Sequence, residues 1–307
     1  MGQVVIISHQ DCLLHEMGDL HPECPQRLQA VSERLAKNDL INACPGLAAV
    51  LATKEQLKLG HDHSYVDRIF DIAPSTGQTF LDPDTSMNPH SLDAARYAAG
   101  SVCQAVDMIL DDQAQRVFCL VRPPGHHAEY NRAMGFCIFN TVAIGALYAL
   151  KQPGIDRVAI VDFDVHHGNG TENIVADESG IQFFSTFQSP FYPFSGIGET
   201  AINVHNSPLV ANSTPADFRA AVERDWLPAI AEYRPDLIII SAGFDAHRDD
   251  AISSLRLTED DYAWVTEQVV MLANQSAQGR IISSLEGGYN LDALASSVEV
   301  HIEQLLK

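Results

Sequence analysis

Basic residues are scarce in this sequence. Its 307 residues include 19 lysines and arginines against 40 aspartates and glutamates, a formal net charge of -21 at pH 7. Such a chain lacks the clustered cations that a phosphate backbone demands, so nucleic acid is not an expected partner. The same charge favours solubility and draws cationic molecules toward the surface. Long apolar runs are missing as well. The most apolar long segment, Phe136 to Leu150, is too short to span a bilayer and is interrupted by Asn140 and Thr141. It reads as a buried helix, and no membrane partner is expected. There are only six cysteines (Cys12, Cys24, Cys44, Cys103, Cys119 and Cys137), and none forms a C-x-x-C pair. That argues against a disulfide framework or a thiolate zinc site and for a reduced, cytoplasmic chain. The N-terminus has neither a basic flank nor a long apolar stretch, so a signal peptide is not expected. After Met1-Gly2, Ile6 stands where a myristoylation site wants serine or threonine. No repeat or linker interrupts the chain.

What the sequence does have is an alternation of strands and helices. Val4 to Ser8, Arg116 to Val121, Val158 to Val161, Ile181 to Phe187, Asp236 to Ser241 and Arg280 to Leu285 are short apolar runs that suit strands. Gln26 to Lys37 and Ala216 to Glu232 have helical spacing, Ser91 caps a helix to about Leu110, and Thr258 caps another. This order predicts an α/β fold: a mostly parallel sheet covered by helices on both faces. Ligands of such sheets bind beyond the carboxyl ends of the strands. His126-His127, Asp162-Phe-Asp164-Val-His166, Asp245 and Tyr289 each follow one of these runs. Asp162, Asp164 and His166 alternate, so on an extended strand they share one face. Buried carboxylates and an imidazole there are costly unless a cation or hydrogen bonds satisfy them. Asp164, His166 and Asp245 offer one nitrogen and two oxygen donors, a three-ligand set that leaves room for water and substrate, as a catalytic zinc site does. The set would also suit ferrous iron or cobalt. His126 and His127 could then move protons, and the Tyr289 hydroxyl could steady an oxyanion.

Arg122-Pro-Pro-Gly-His-His-Ala128, Val161-Asp-Phe-Asp-Val-His-His-Gly-Asn-Gly170, Ser241-Ala-Gly-Phe-Asp245 and Leu285-Glu-Gly-Gly-Tyr-Asn290 resemble the histone deacetylase family. His21-Pro-Glu-Cys-Pro-Gln-Arg27 and Met134-Gly-Phe-Cys137 match it as well. The resemblance is to the class II branch and its bacterial relatives, which include acetylpolyamine amidohydrolases. It covers nearly the whole chain and implies one arginase/deacetylase domain over 1-307. It also implies a zinc amidohydrolase in which Asp164, His166 and Asp245 ligate zinc. His127 would transfer the proton with Asn169 as its partner, His126 would be its electrostatic companion paired with Asp162, and Tyr289 would donate to the oxyanion. Gly135 and Phe136 resemble a tunnel wall, with Tyr192 where relatives carry phenylalanine. A structural potassium ion would fall on carbonyls of Asp162, Asp164 and His166 with Ser185 and Thr186.

The expected substrate is an acylated lysine in a protein or peptide, hydrolysed by metal-activated water, with acetylated polyamines as the alternative. Polyamine-selective members of the family place a glutamate at the tunnel mouth. Ile252 occupies that position here, so no carboxylate is expected at the rim. Two other readings remain. Asp245-Ala-His247-Arg-Asp249 spells a dimanganese-ureohydrolase motif, although no other segment supplies the remaining aspartates. A non-catalytic metal-binding module that reads acyl-lysine would lack His127 or Tyr289, and both are present. The oligomeric state stays open, a homo-oligomer included.

Overall fold

The computed structural model describes residues 4–307, so Met1-Gly2 lies outside it. Eight parallel strands form the central sheet: β1 (Val4–Ser8), β2 (Gly46–Ala48), β3 (Arg116–Cys119), β4 (Val158–Asp162), β5 (Ile181–Gln188), β6 (Val204–Leu209), β7 (Leu237–Ala242) and β8 (Ile281–Leu285). Their order is β2-β1-β3-β8-β7-β4-β5-β6. The expected α/β architecture is the observed one. β3, β4, β7 and β8 are buried along their whole length, as interior strands of a parallel sheet covered on both faces should be. Helices Ser91–Leu110 and Thr141–Ala149 pack on each other, and Leu291–Leu305 packs on both Gln26–Lys37 and Glu259–Ser276.

The ordering matters because β3, β8, β7 and β4 are consecutive in the middle of the sheet. Their registers align Cys119 with Ser284, Ser284 with Ser241, and Ser241 with Asp162. The four segments that follow these strands therefore start at one level and share one edge.

Several local expectations need correction. Phe136 to Leu150 is not helical throughout: the helix begins at Thr141, with the Asn140 side chain accepting from the Ala143 N–H as its cap. Gly135 and Phe136 both take positive φ, 57° and 68°, which no helix continues. Ser91 is the first helical residue rather than the cap, and its hydroxyl bonds His15 Nδ1 and the Asn88 N–H. The 216–232 segment contains a π-turn at Val222–Trp226. Pro228 has no N–H to give Arg224, and the Leu227 N–H reaches Val222 instead. β3 ends at Cys119 rather than Val121. Thr258 caps its helix as expected, in a capping box with Asp261. No described helix is long and apolar enough to cross a membrane, and all six cysteines are free.

Candidate active site

β4 runs out at Asp162, and the chain beyond it turns Asp164 and His166 toward Asp245, which follows β7. One donor atom from each of the three residues lies within 4.8 Å of the others. His166 Nδ1 is 2.9 Å from Asp164 Oδ1 and 3.2 Å from Asp245 Oδ2. All three residues are buried, and Asp245 Oδ2 has no hydrogen-bond partner. Burial and the charge of Asp164 raise the Asp245 carboxyl to about 6. Burial lowers the His166 pKa, but its bond to Asp164 and the nearby Asp245 carboxylate outweigh that and lift it to about 9. This donor set fits a small divalent cation: two oxygens and one nitrogen converge, one oxygen is orphaned, and thiolates are absent. The backbone packs closely against two of the ligands. A Cβ at Gly243 would stand 2.0 Å from Asp164 Oδ2, and one at Gly287 would stand 2.2 Å from Asp245 Oδ2.

The histidine pair after β3 is buried beside this set. His126 Nδ1 is 2.9 Å from Asp162 Oδ2, and His127 Nδ1 is 2.7 Å from Asn169 Oδ1. The two imidazoles are driven in opposite directions. For His126, burial lowers the pKa, but the carboxylates of Asp164, Asp162 and Glu286 outweigh it and hold the ring well above the usual histidine range. For His127, burial and the neighbouring positive charges of His126 and His166 hold it well below that range. The surroundings therefore favour the charged form of one histidine and the neutral form of the other, a separation that acid–base catalysis can use. Glu286, just past β8, accepts from the Gly125 and His126 N–H groups at 2.7 and 3.1 Å and from the Ser241 hydroxyl at 3.1 Å.

A narrow cavity of about 110 Å³ leads to these groups, lined by Asp84, His127, Gly135, Phe136, His166, Tyr192, Ile252 and Tyr289. Gly135, Phe136, Tyr192 and Ile252 thus all line one cavity. Tyr192 meets His127 edge-on, with ring centroids 5.1 Å apart. Gly135 allows the wall to close on His127, since a Cβ there would fall 2.4 Å from His127 Cδ2. Tyr289 stands edge-on to Phe136 at 6.0 Å, and the Arg27 guanidinium lies 5.0 Å from its ring centre. Burial and the charge of Asp245 hold the Tyr289 phenol well above its ordinary range, so it remains a donor.

Three supports escaped sequence reasoning. Asp84 accepts from the Gly135 N–H at 3.1 Å, and the Thr85 hydroxyl accepts from the Phe136 N–H at 3.0 Å, so the 82–85 turn holds the strained wall. Asp250 accepts from the Tyr289 and Asn290 N–H groups at 2.6 and 3.0 Å and from the Ile252 N–H at 3.0 Å. Glu129 accepts from Asn169 Nδ2 at 2.8 Å. The placement of Asp84 corrects the expectation of a rim without a carboxylate: it comes from another loop than the one carrying Ile252. The two-metal reading fails on geometry. His247 Nδ1 accepts from the Asp249 N–H and its Nε2 faces Glu259, and the single cation set among the described residues is Asp164, His166 and Asp245. Ser185 pairs in register with Asp162, which sets β5 beside the segment expected to hold potassium.

Residues 21–305 match the model of the histone deacetylase domain. The chain is 34% identical to Histone deacetylase 14, chloroplastic, of Arabidopsis thaliana, over 93% of this chain and 73% of that protein. It is 33% identical to Polyamine deacetylase HDAC10 of Mus musculus over 98% of this chain and 48% of that protein, so it spans about half of that relative. The solved HDA15 HD domain superposes with a TM-score of 0.93 at 33% identity, covering 99% of this chain and 88% of that one.

Proposed function

The chain belongs to the histone deacetylase family, and from that premise we propose that it is a zinc-dependent deacylase of N-acylated lysine side chains. The observation that carries this reading is geometric: two adjacent buried histidines, one against the Asp162 carboxylate and the other against the Asn169 amide, beside a three-donor cation set. Asp164, His166 and Asp245 would hold one zinc ion, which supplies Lewis-acid polarisation of the acyl carbonyl and acidifies water. Neutral His127 takes the proton of the attacking water. Its Nδ1–H is committed to Asn169, so Nε2 is the accepting atom. Charged His126, locked to Asp162, stabilises the negative charge that develops without competing for that proton. Tyr289 donates its hydroxyl to the oxyanion, and the proton gathered by His127 returns to the leaving amine. The whole chain acts as one catalytic domain, and Asp162, Asp164, His166, Ser185 and Thr186 would hold a structural potassium ion beside the metal ligands.

The tunnel favours an aliphatic stem: Phe136 and Tyr192 offer ring faces and Ile252 an apolar rim. Asp84 is the observation that favours the polyamine alternative, in keeping with the relative named as a polyamine deacetylase. One of its oxygens, however, is committed to the Gly135 N–H and the Thr85 hydroxyl is aligned beside it, so it serves the wall before it serves a ligand. Diffuse attraction of polycations by the overall charge is screened within roughly 8–10 Å at ordinary salt. We expect higher kcat/KM on acetyl-lysine peptides than on acetylputrescine or acetylspermidine, with Ile252→Glu shifting the ratio toward the polyamines. An unmutated enzyme that prefers an acetylpolyamine by about tenfold or more at physiological salt would overturn the lysine assignment.

A further inference from the structure

A neutral imidazole carries its proton on one nitrogen only, and only the Nδ1–H form of His127 leaves Nε2 as a base. Asn169 faces Nδ1, but an amide has two ends. Its oxygen accepts from Nδ1–H, whereas its NH₂ would donate to Nδ1 and force the proton onto Nε2. A flip of one side-chain amide would therefore convert the base into a donor without moving any backbone atom. The observed orientation puts Oδ1 on His127 at 2.7 Å and Nδ2 on Glu129 Oε1 at 2.8 Å. An ionised carboxylate only accepts, so the flipped amide would set two acceptors against each other.

We propose that Glu129 is a positioning residue that fixes the tautomer of His127 through the amide of Asn169. Glu129 is itself held: Arg132 Nη2 donates to its Oε1 at 3.0 Å, and its backbone N–H bonds the Arg132 carbonyl at 2.9 Å. Arg132 also reaches Met134 Sδ at 3.0 Å, the sulfur that Asn169 Nδ2 contacts at 3.3 Å. The arrangement explains the unequal treatment of the two histidines. His126 meets a carboxylate directly and stays charged. His127 meets a neutral amide, with the carboxylate one residue further out, and gains orientation without being driven to the cationic form. Because Glu129 is partly exposed, its truncation removes no core packing.

This inference rests on His127 acting as the base, and its test has an arm that needs no turnover. Nitrogen-15 spectra of the histidine rings in the zinc-loaded protein should show His127 as the Nδ1–H tautomer. Glu129→Ala should move it partly or wholly to Nε2–H and lower kcat by about 10–100-fold, with KM and zinc content unchanged. Glu129→Gln, whose side-chain oxygen still accepts from Asn169, should keep the Nδ1–H tautomer and stay within about threefold of the unmutated kcat. In an Asn169→Asp background, where both oxygens accept, adding Glu129→Ala should leave Nδ1 of His127 protonated as in the single variant. Unaltered kcat in Glu129→Ala would overturn the proposal. So would a loss of turnover with the Nδ1–H tautomer retained, or a Gln variant as impaired as the Ala variant. A protein that shows these tautomer changes yet hydrolyses no acyl amide would uphold the positioning role and refute the deacylase reading.

Discussion

Asp164→Ala and Asp245→Ala are each expected to abolish turnover and to yield a folded, metal-poor protein. Each change removes one of three donors from a set with no spare ligand within reach. Metal lowers the pKa of a bound water from 15.7 to about 7, so its loss reduces the supply of nucleophile at neutral pH by many orders of magnitude. The fold should survive. Asp245 accepts from the Val165 N–H at 2.9 Å, and orphaning that donor costs about 1–3 kcal/mol. Removing a buried carboxyl that Asp164 repels offsets part of this cost. Metal analysis alongside circular dichroism checks the outcome, and full zinc occupancy in both variants would refute the ligand assignment.

Tyr289→Phe should lower kcat by about 10²–10³ with zinc content unchanged, the usual consequence of deleting one oxyanion donor. The substitution removes a single hydroxyl. It leaves the ring contact with Phe136, the Arg27 guanidinium and the Asp250 bond to the backbone N–H in place. Any loss therefore reports the donor rather than the loop. Steady-state kinetics on an acetyl-lysine peptide decide it, and turnover at the unmutated rate would remove Tyr289 from the mechanism.

The site was legible in the sequence to the extent that strands announced where they end. Buried parallel strands read as apolar runs, so polar residues directly after Val158–Val161 or Leu285 had no structural excuse, and the order of the sheet brought those ends together. The edges of the sheet were not legible. Gly46–Ala48 is exposed, and Val204–Leu209 carries the polar run His205-Asn206-Ser207 and contains Pro208, which an edge strand tolerates. The residues that hold the site in place were also hidden. Asp84 meets Gly135 across 51 positions and Asp250 meets Tyr289 across 39, through loops whose course no periodicity encodes. Glu129 stands two residues after His127, yet it acts through Asn169, 40 positions away. The apolar character of Phe136 to Leu150 pointed to a helix from its first residue, but tunnel geometry took the first five residues for a turn and a cap.

On the proposed mechanism, a single cation held by Asp164, His166 and Asp245 makes this chain a hydrolase of acyl amides. Acetate release from an acetyl-lysine peptide should be measured on protein stripped by chelator and then titrated with zinc. The account predicts no release from the stripped protein and full recovery at one equivalent of zinc per chain. Release that persists after stripping, or none at any zinc level from any acyl-lysine or acetylpolyamine, would contradict it.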